Sequence, residues 1–224
     1  MSAEALCKRV TQFGFTLLEH EFALDARQHT VDRLRGSTKA LIWARTGDQT
    51  LITSNPLRVA DYLALLEKQE YSYLMRDGAM VQIAYTLTNT DIDRHRLAYY
   101  PCPFEIDAAE LRRYDGGILD YILENFMDDV EANVVLRSPI RFDYAPEAAQ
   151  NFHPASHITI NDPTCRIPAR APLAFDTFMK FLLENFYVEA SGQRAIAAAL
   201  RFSHEPDCLS AHDRGRAHLN WAHA

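Results

Sequence analysis

Two imidazoles stand four residues apart in the string His153-Pro154-Ala155-Ser156-His157, and a third, His95, lies between Arg94 and Arg96. An unperturbed imidazole titrates near pH 6.5 and can take and return a proton close to neutrality. Beside arginine, whose planar fork matches phosphate or carboxylate, it can serve as general acid or base while the guanidinium neutralises developing charge. His157, His95 and His153 are therefore the candidate catalytic residues. Arg166, Asn161, Arg96 and Arg141 are the candidate ligand-binding residues. On a helix an HxxxH pair would present both rings from one face, as metal ligands do. Here Pro154, and the alternation of Ile158 and Ile160 with His157, Thr159 and Asn161, point to a loop entering a strand. Positions four apart in an extended chain lie about 13 Å from each other at ~3.3 Å per residue, too far to share one ion unless the chain bends at the proline. No metal set is firm; Asp143 and His157 are the members of any that exists.

Other chemistries are poorly supported. Gly36-Ser37-Thr38-Lys39 has the residue types of a P-loop in the wrong order. There is no GxSxG elbow and no HExxH. The four cysteines, Cys7, Cys102, Cys165 and Cys208, form no CxxC pair and are too scattered for a disulfide framework, which suits reduced thiols in a cytoplasm. No apolar run approaches the ~20 residues of a membrane span.

The charge balance narrows the ligand classes. With 23 Lys+Arg against 30 Asp+Glu in 224 residues, the formal charge is −7, which disfavours a nonspecific nucleic-acid binder. The excess is local. Residues 105–131 hold nine carboxylates against Arg112 and Arg113, which accounts for all of it. The rest of the chain is neutral, and its positive charge is almost entirely guanidinium, since only Lys8, Lys39, Lys68 and Lys180 are lysines. A positive pocket and a separate acidic face for a protein partner are thus both open.

The elements that must position these residues can be read from periodicity. Residues 2–20 predict a helix capped by Ser2, with Leu6, Val10, Phe13 and Leu17 on its apolar face. Strand-like character over 41–53 is broken at Thr46–Gln49 in the manner of a hairpin, and Asn55-Pro56 opens a second helix with Val59, Tyr62, Leu63 and Leu66 inward. Asp77-Gly78 between apolar runs predicts a tight turn. A second strand over Met80–Thr88 and, after the polar link Asn89–Asp93, a third over Arg94–Tyr100 complete a meander around residues 71–101. The third strand places His95, Leu97 and Tyr99 on one face and Arg94, Arg96 and Tyr100 on the other. Further strands are predicted near 134–144, interrupted by Pro139, and near 157–161. Helices follow at Ile118–Phe126, after Pro172 with Phe175, Phe178, Leu182 and Phe186 inward, and from Ser191 to Leu200. The expectation is an α+β fold, an antiparallel sheet packed by helices, in a single domain over 1–224 whose N-terminal helical segment 1–35 is peripheral.

Several strings, in order, resemble a bacterial family known as domain of unknown function 2290. They are Asp77-Gly78 with Val81-Gln82-Ile83-Ala84-Tyr85, then His95 through Phe104, His153 through His157, Cys165-Arg166-Ile167-Pro168, and the helix end Phe181–Tyr187. The likeness spans roughly residues 55–221. It implies that His95, His153, His157 and Arg166 belong to the family pattern, and it implies no particular reaction. The leading expectation is a cytoplasmic protein that binds or hydrolyses a phosphate-bearing ligand, a nucleotide or nucleic acid, in a His/Arg pocket. The alternative is a non-enzymatic subunit of a bacterial defence or mobile-element system that docks through the acidic segment 105–131. Composition leaves enzyme and non-enzyme open.

Overall fold

The computed structural model describes residues 1–43, 58–201 and 205–221. The chain begins with helix α1 (Ala3–Glu19), whose first turn is closed by Ser2 Oγ accepting from the Ala5 N–H. Strands β1 (Ala23–Ala26), β2 (His29–Arg33) and β3 (Thr38–Trp43) follow, then helix α2 (Val59–Glu67) and strands β4 (Tyr73–Met75), β5 (Met80–Thr88) and β6 (Asp91–Tyr100). The acidic stretch carries three short helices, α3 (Ala108–Leu111), α4 (Ile118–Phe126) and α5 (Val130–Asn133). Strands β7 (Ile140–Tyr144), β8 (Ser156–Ile160) and β9 (Arg166–Pro168) come next. The chain ends on helices α6 (Phe175–Phe186), α7 (Val188–Ser191), α8 (Arg194–Ala199) and α9 (Ala211–Arg214).

All nine strands among the described residues join one antiparallel sheet, so the fold is α+β. β5 is its spine. On one side it pairs with β6 along its whole length; on the other, β4 takes its first two residues and β3 its last four. Each of these branches adds one more strand, β1 beside β4 and β2 beside β3. From β6 the sheet continues through β7 and β8 to β9. The C-terminal tail then runs along β9: Leu219 donates its N–H to Pro168 O at 2.8 Å and accepts from the Arg170 N–H at 2.9 Å.

Helices cover the sheet on both faces. On the first face α1 and α6 bury Leu6, Val10, Phe13, Leu17, Phe175 and Phe178 against Val81, Ile83, Tyr85, Leu97, Phe142 and Ile158. At 12 residues α6 would be marginal alone, so this packing, worth about 1.5–3 kcal/mol for each fully buried large side chain, holds it. Gly14 lets α1 approach closely, since a Cβ there would stand 2.8 Å from the Tyr73 ring. On the second face α2 and α4 bury Tyr62, Leu65 and Ile122 against Leu74, Met80, Ala98, Tyr100 and Cys102. They cover the β4–β6 end of that face. Among the described residues no helix is long and apolar enough to cross a membrane, and all four cysteines are free.

Several expectations need correction. The N-terminal segment is not peripheral: α1, β1 and β2 are part of the sheet and its larger core. At the Asp77-Gly78 turn only Gly78 has positive φ, +80°. The link at Asn89–Asp93 shrinks to Asn89-Thr90, because Asn89 itself adopts φ +57° and Asp91 already pairs with Thr88. Of the strand expected over 134–144, only Ile140–Tyr144 forms, since Pro139 cannot donate to a ladder and Val135 spends its N–H on Pro103 O. The helix expected from Ser191 is two, parted at Gly192 and Gln193. The turn at Thr46–Gln49 and the helix start at Asn55-Pro56 lie outside the described residues.

Candidate functional site

Sheet register decides which polar residues meet. Arg96 stands opposite Asp143, which stands opposite His157; two pairs along, Ala98, Arg141, Thr159 and Arg166 form a second row across four strands. Paired residues face the same side and alternate residues also do, so both rows share the second face. Beyond the end covered by α2 and α4, that face opens into a cavity of about 470 Å³. Arg96, Arg141, Asp143, His153, His157 and Arg166 line it.

Asp143 is the hub. Its Oδ1 accepts from Arg96 Nε at 2.9 Å and its Oδ2 from Arg141 Nε at 2.5 Å. Burial pushes the Asp143 carboxyl up, but Arg141 and Arg96 outweigh it and hold it below the usual range, so it is ionised at neutral pH. Arg94, at the rim, is matched by Glu147 at 2.9 Å. Among the described residues lining the cavity, three further arginines therefore face a single carboxylate, leaving two positive charges in excess.

The histidines divide. His157 is 3% exposed and its Nδ1 lies 3.0 Å from Pro154 O. A carbonyl only accepts, so Nδ1 carries the proton and Nε2 keeps a free lone pair, 3.8 Å from Asp143 Oδ2. Burial pushes the His157 pKa down to about 4, against the pull of Asp143. His153 packs edge-on to it with ring centroids 5.2 Å apart, and burial, then Arg166, lowers its pKa too. The wide separation expected for an extended HxxxH does not apply, because the chain bends at Ala155, between the two histidines. Gln150 and His153 exchange both backbone hydrogen bonds, at 3.0 and 2.9 Å, around Phe152 at φ +63°.

His95 lies on the opposite face. Its Nε2 accepts from the Leu173 N–H at 2.8 Å, so Nδ1 bears the proton and donates to Phe142 O at 3.3 Å. With both nitrogens committed to backbone groups and burial lowering its pKa to about 4, it is a neutral strut that pins residue 173 to β6 and β7. Asn161 is exposed, just past the end of β8 at φ +57°, and does not reach the cavity.

Two further residues lie on this face, Thr159 within the second row and Tyr100 two residues beyond Ala98 on β6. Thr159, 2% exposed, and Tyr100, 3% exposed, have hydroxyls with no hydrogen-bond partner, and so does the buried Nε of Arg166. The alternation of Tyr100 with His95 and of Thr159 with Ile158 was a usable signal for the face; the register that aligns them was not. For a metal, no group of three His, Cys, Asp or Glu side chains is arranged to hold one among the described residues.

The acidic segment is a separate region. Asp107 accepts from the Ala109 and Glu110 N–H groups, Asp120 from Gly117 N–H at 3.3 Å, and Asp129 from Ala132 N–H at 3.2 Å. Three short helices start within this stretch, and at each start a carboxylate accepts from an amide left free there, where negative charge is favourable. Part of the charge concentration thus has a local structural cause.

A family described as an uncharacterized conserved protein, DUF2290, matches residues 24–221 of the 224. The match begins well before residue 55 and takes in β2 and β3 and nearly all of β1. No curated protein and no solved structure matches the chain.

Proposed function

We propose, from the premise that the chain belongs to the DUF2290 family, that it binds a phosphate-bearing ligand, a nucleotide or nucleic acid, over the β6–β9 face. The observation that carries this reading is the excess of guanidinium there: Arg96, Arg141 and Arg166 against Asp143, at a cavity of about 470 Å³, within the size range of small-molecule sites. Asp143 holds Arg96 and Arg141 in fixed orientation, so a ligand meets donors that are already placed. His157 is the residue we assign to any proton transfer. It is neutral near pH 7, its free Nε2 can accept, and the imidazolium formed would face Asp143.

Calorimetric titration with ATP and with a short single-stranded oligonucleotide at low salt tests the proposal. Arg166→Gln is the clean variant, because the Arg166 side chain anchors no ion pair of the fold. It should weaken binding at least about tenfold, 1.4 kcal/mol, with little change in Tm. If neither ligand binds the wild-type chain, or Arg166→Gln binds as well, the reading fails.

A further inference from the structure

Two donors of the second row are built and unspent: Thr159 Oγ1 on β8 and Arg166 Nε on β9, each buried without a partner. Arg141 on β7 stands next to them in the register, opposite Thr159 on one side and Ala98 on the other. A buried polar group left unpaired destabilises the free protein, and two neighbouring strands leave theirs side by side, since Thr159 pairs with Arg166. The histidines beside it are neutral, so the charge that the position offers is the arginine excess of two.

We infer that the group seated there is a terminal phosphomonoester, held by Arg141 and Arg166 with the hydroxyl of Thr159. This rests on the phosphate-binding reading above and specifies its ligand. A monoester carries nearly two negative charges at pH 7 and three terminal oxygens that accept hydrogen bonds. It balances the excess and gives each unspent donor an oxygen. A phosphodiester carries one charge, which would leave one positive charge of the site uncompensated.

Competition binding on the full chain separates the possibilities. AMP, 3′,5′-cyclic AMP and inorganic phosphate are titrated at pH 7.5, with a 5′-phosphorylated dinucleotide as the arm that distinguishes the end of a chain from a free nucleotide. AMP should bind at least about tenfold more tightly than the cyclic diester and be displaced by inorganic phosphate. Thr159→Val, which keeps shape and removes an unpaired hydroxyl, should hold or raise Tm while weakening AMP about fivefold. Cyclic AMP binding as tightly as AMP, or Thr159→Val leaving AMP affinity unchanged, would overturn the inference and leave the broader reading standing. Absence of binding by every phosphate, diester included, would overturn both.

Discussion

One residue type, histidine, has two fates on this sheet, and the difference lies in what meets each nitrogen. His95 spends both on backbone groups, whereas His157 spends one on Pro154 O and leaves Nε2 beside Asp143. His95→Ala should therefore cost about 2–4 kcal/mol in urea unfolding, because Leu173 N–H is stranded and a ring-sized void opens. His157→Ala should cost less and fall mainly on any proton-transfer activity; equal losses from both would erase the distinction. Asp143→Asn removes the charge that compensates Arg96 and Arg141. It should destabilise by roughly 3 kcal/mol, at the low end for a buried pair because Arg96 is 27% exposed, and it should tighten anion binding. A stable Asn variant with weaker anion affinity would contradict the role given to Asp143. The residue types were legible in the sequence: arginines and histidines recur over 94–96 and 153–166. Their company was not, since it depends on strand register and on a bend at Ala155, between His153 and His157.

Helices and strands with strong periodicity could be read directly, as with the apolar stripe of α1 and the alternation in β5. Their ends could not. Asn89 and Asn161 take positive φ at strand ends, and Pro139 shortens β7 by several residues, choices set by tertiary pairing. Gly78 was predictable and is constrained twice. It has φ +80°, and a Cβ there would meet Cys102 and Ile118 at 3.1 Å. Gly78→Ala should cost at least about 1–2 kcal/mol, read as a lower midpoint in denaturant without a change in slope. The acidic element makes its own test. Ile122 is fully buried and Leu123 is 47% exposed, one position apart on α4. Ile122→Ala should cost about 2–5 kcal/mol and Leu123→Ala less than about 0.5, measured by the same unfolding. Similar small effects at both positions would mean that α4 is not fixed to the sheet.

At the scale of the molecule, three buried histidines set the response to acid. Burial brings the pKa of His29, His95 and His157 to about 4, below the ~6.5 of an unfolded chain. Between those values the unfolded chain takes up protons that the native state refuses, so stability is complete above about pH 6.5 and falls as the pH drops toward 4. Asp176, whose carboxyl burial pushes up, acts in the opposite sense. Thermal melts from pH 8 to 4 should show a Tm plateau and then a decline beginning near 6.5; a flat profile down to pH 4 would contradict neutral, buried imidazoles. The tail that runs beside β9 has a consequence of another kind. A row of open amides and carbonyls at the rim of a sheet is a template on which a second molecule can add its own strand. Leu219 and Cys208 occupy that rim through bonds to Pro168 and Arg170, so the last turns of the chain act as a guard against self-association. Removing residues 205–224 should leave much of the core in place and yield a protein that aggregates with concentration, visible by light scattering before any loss of helix signal.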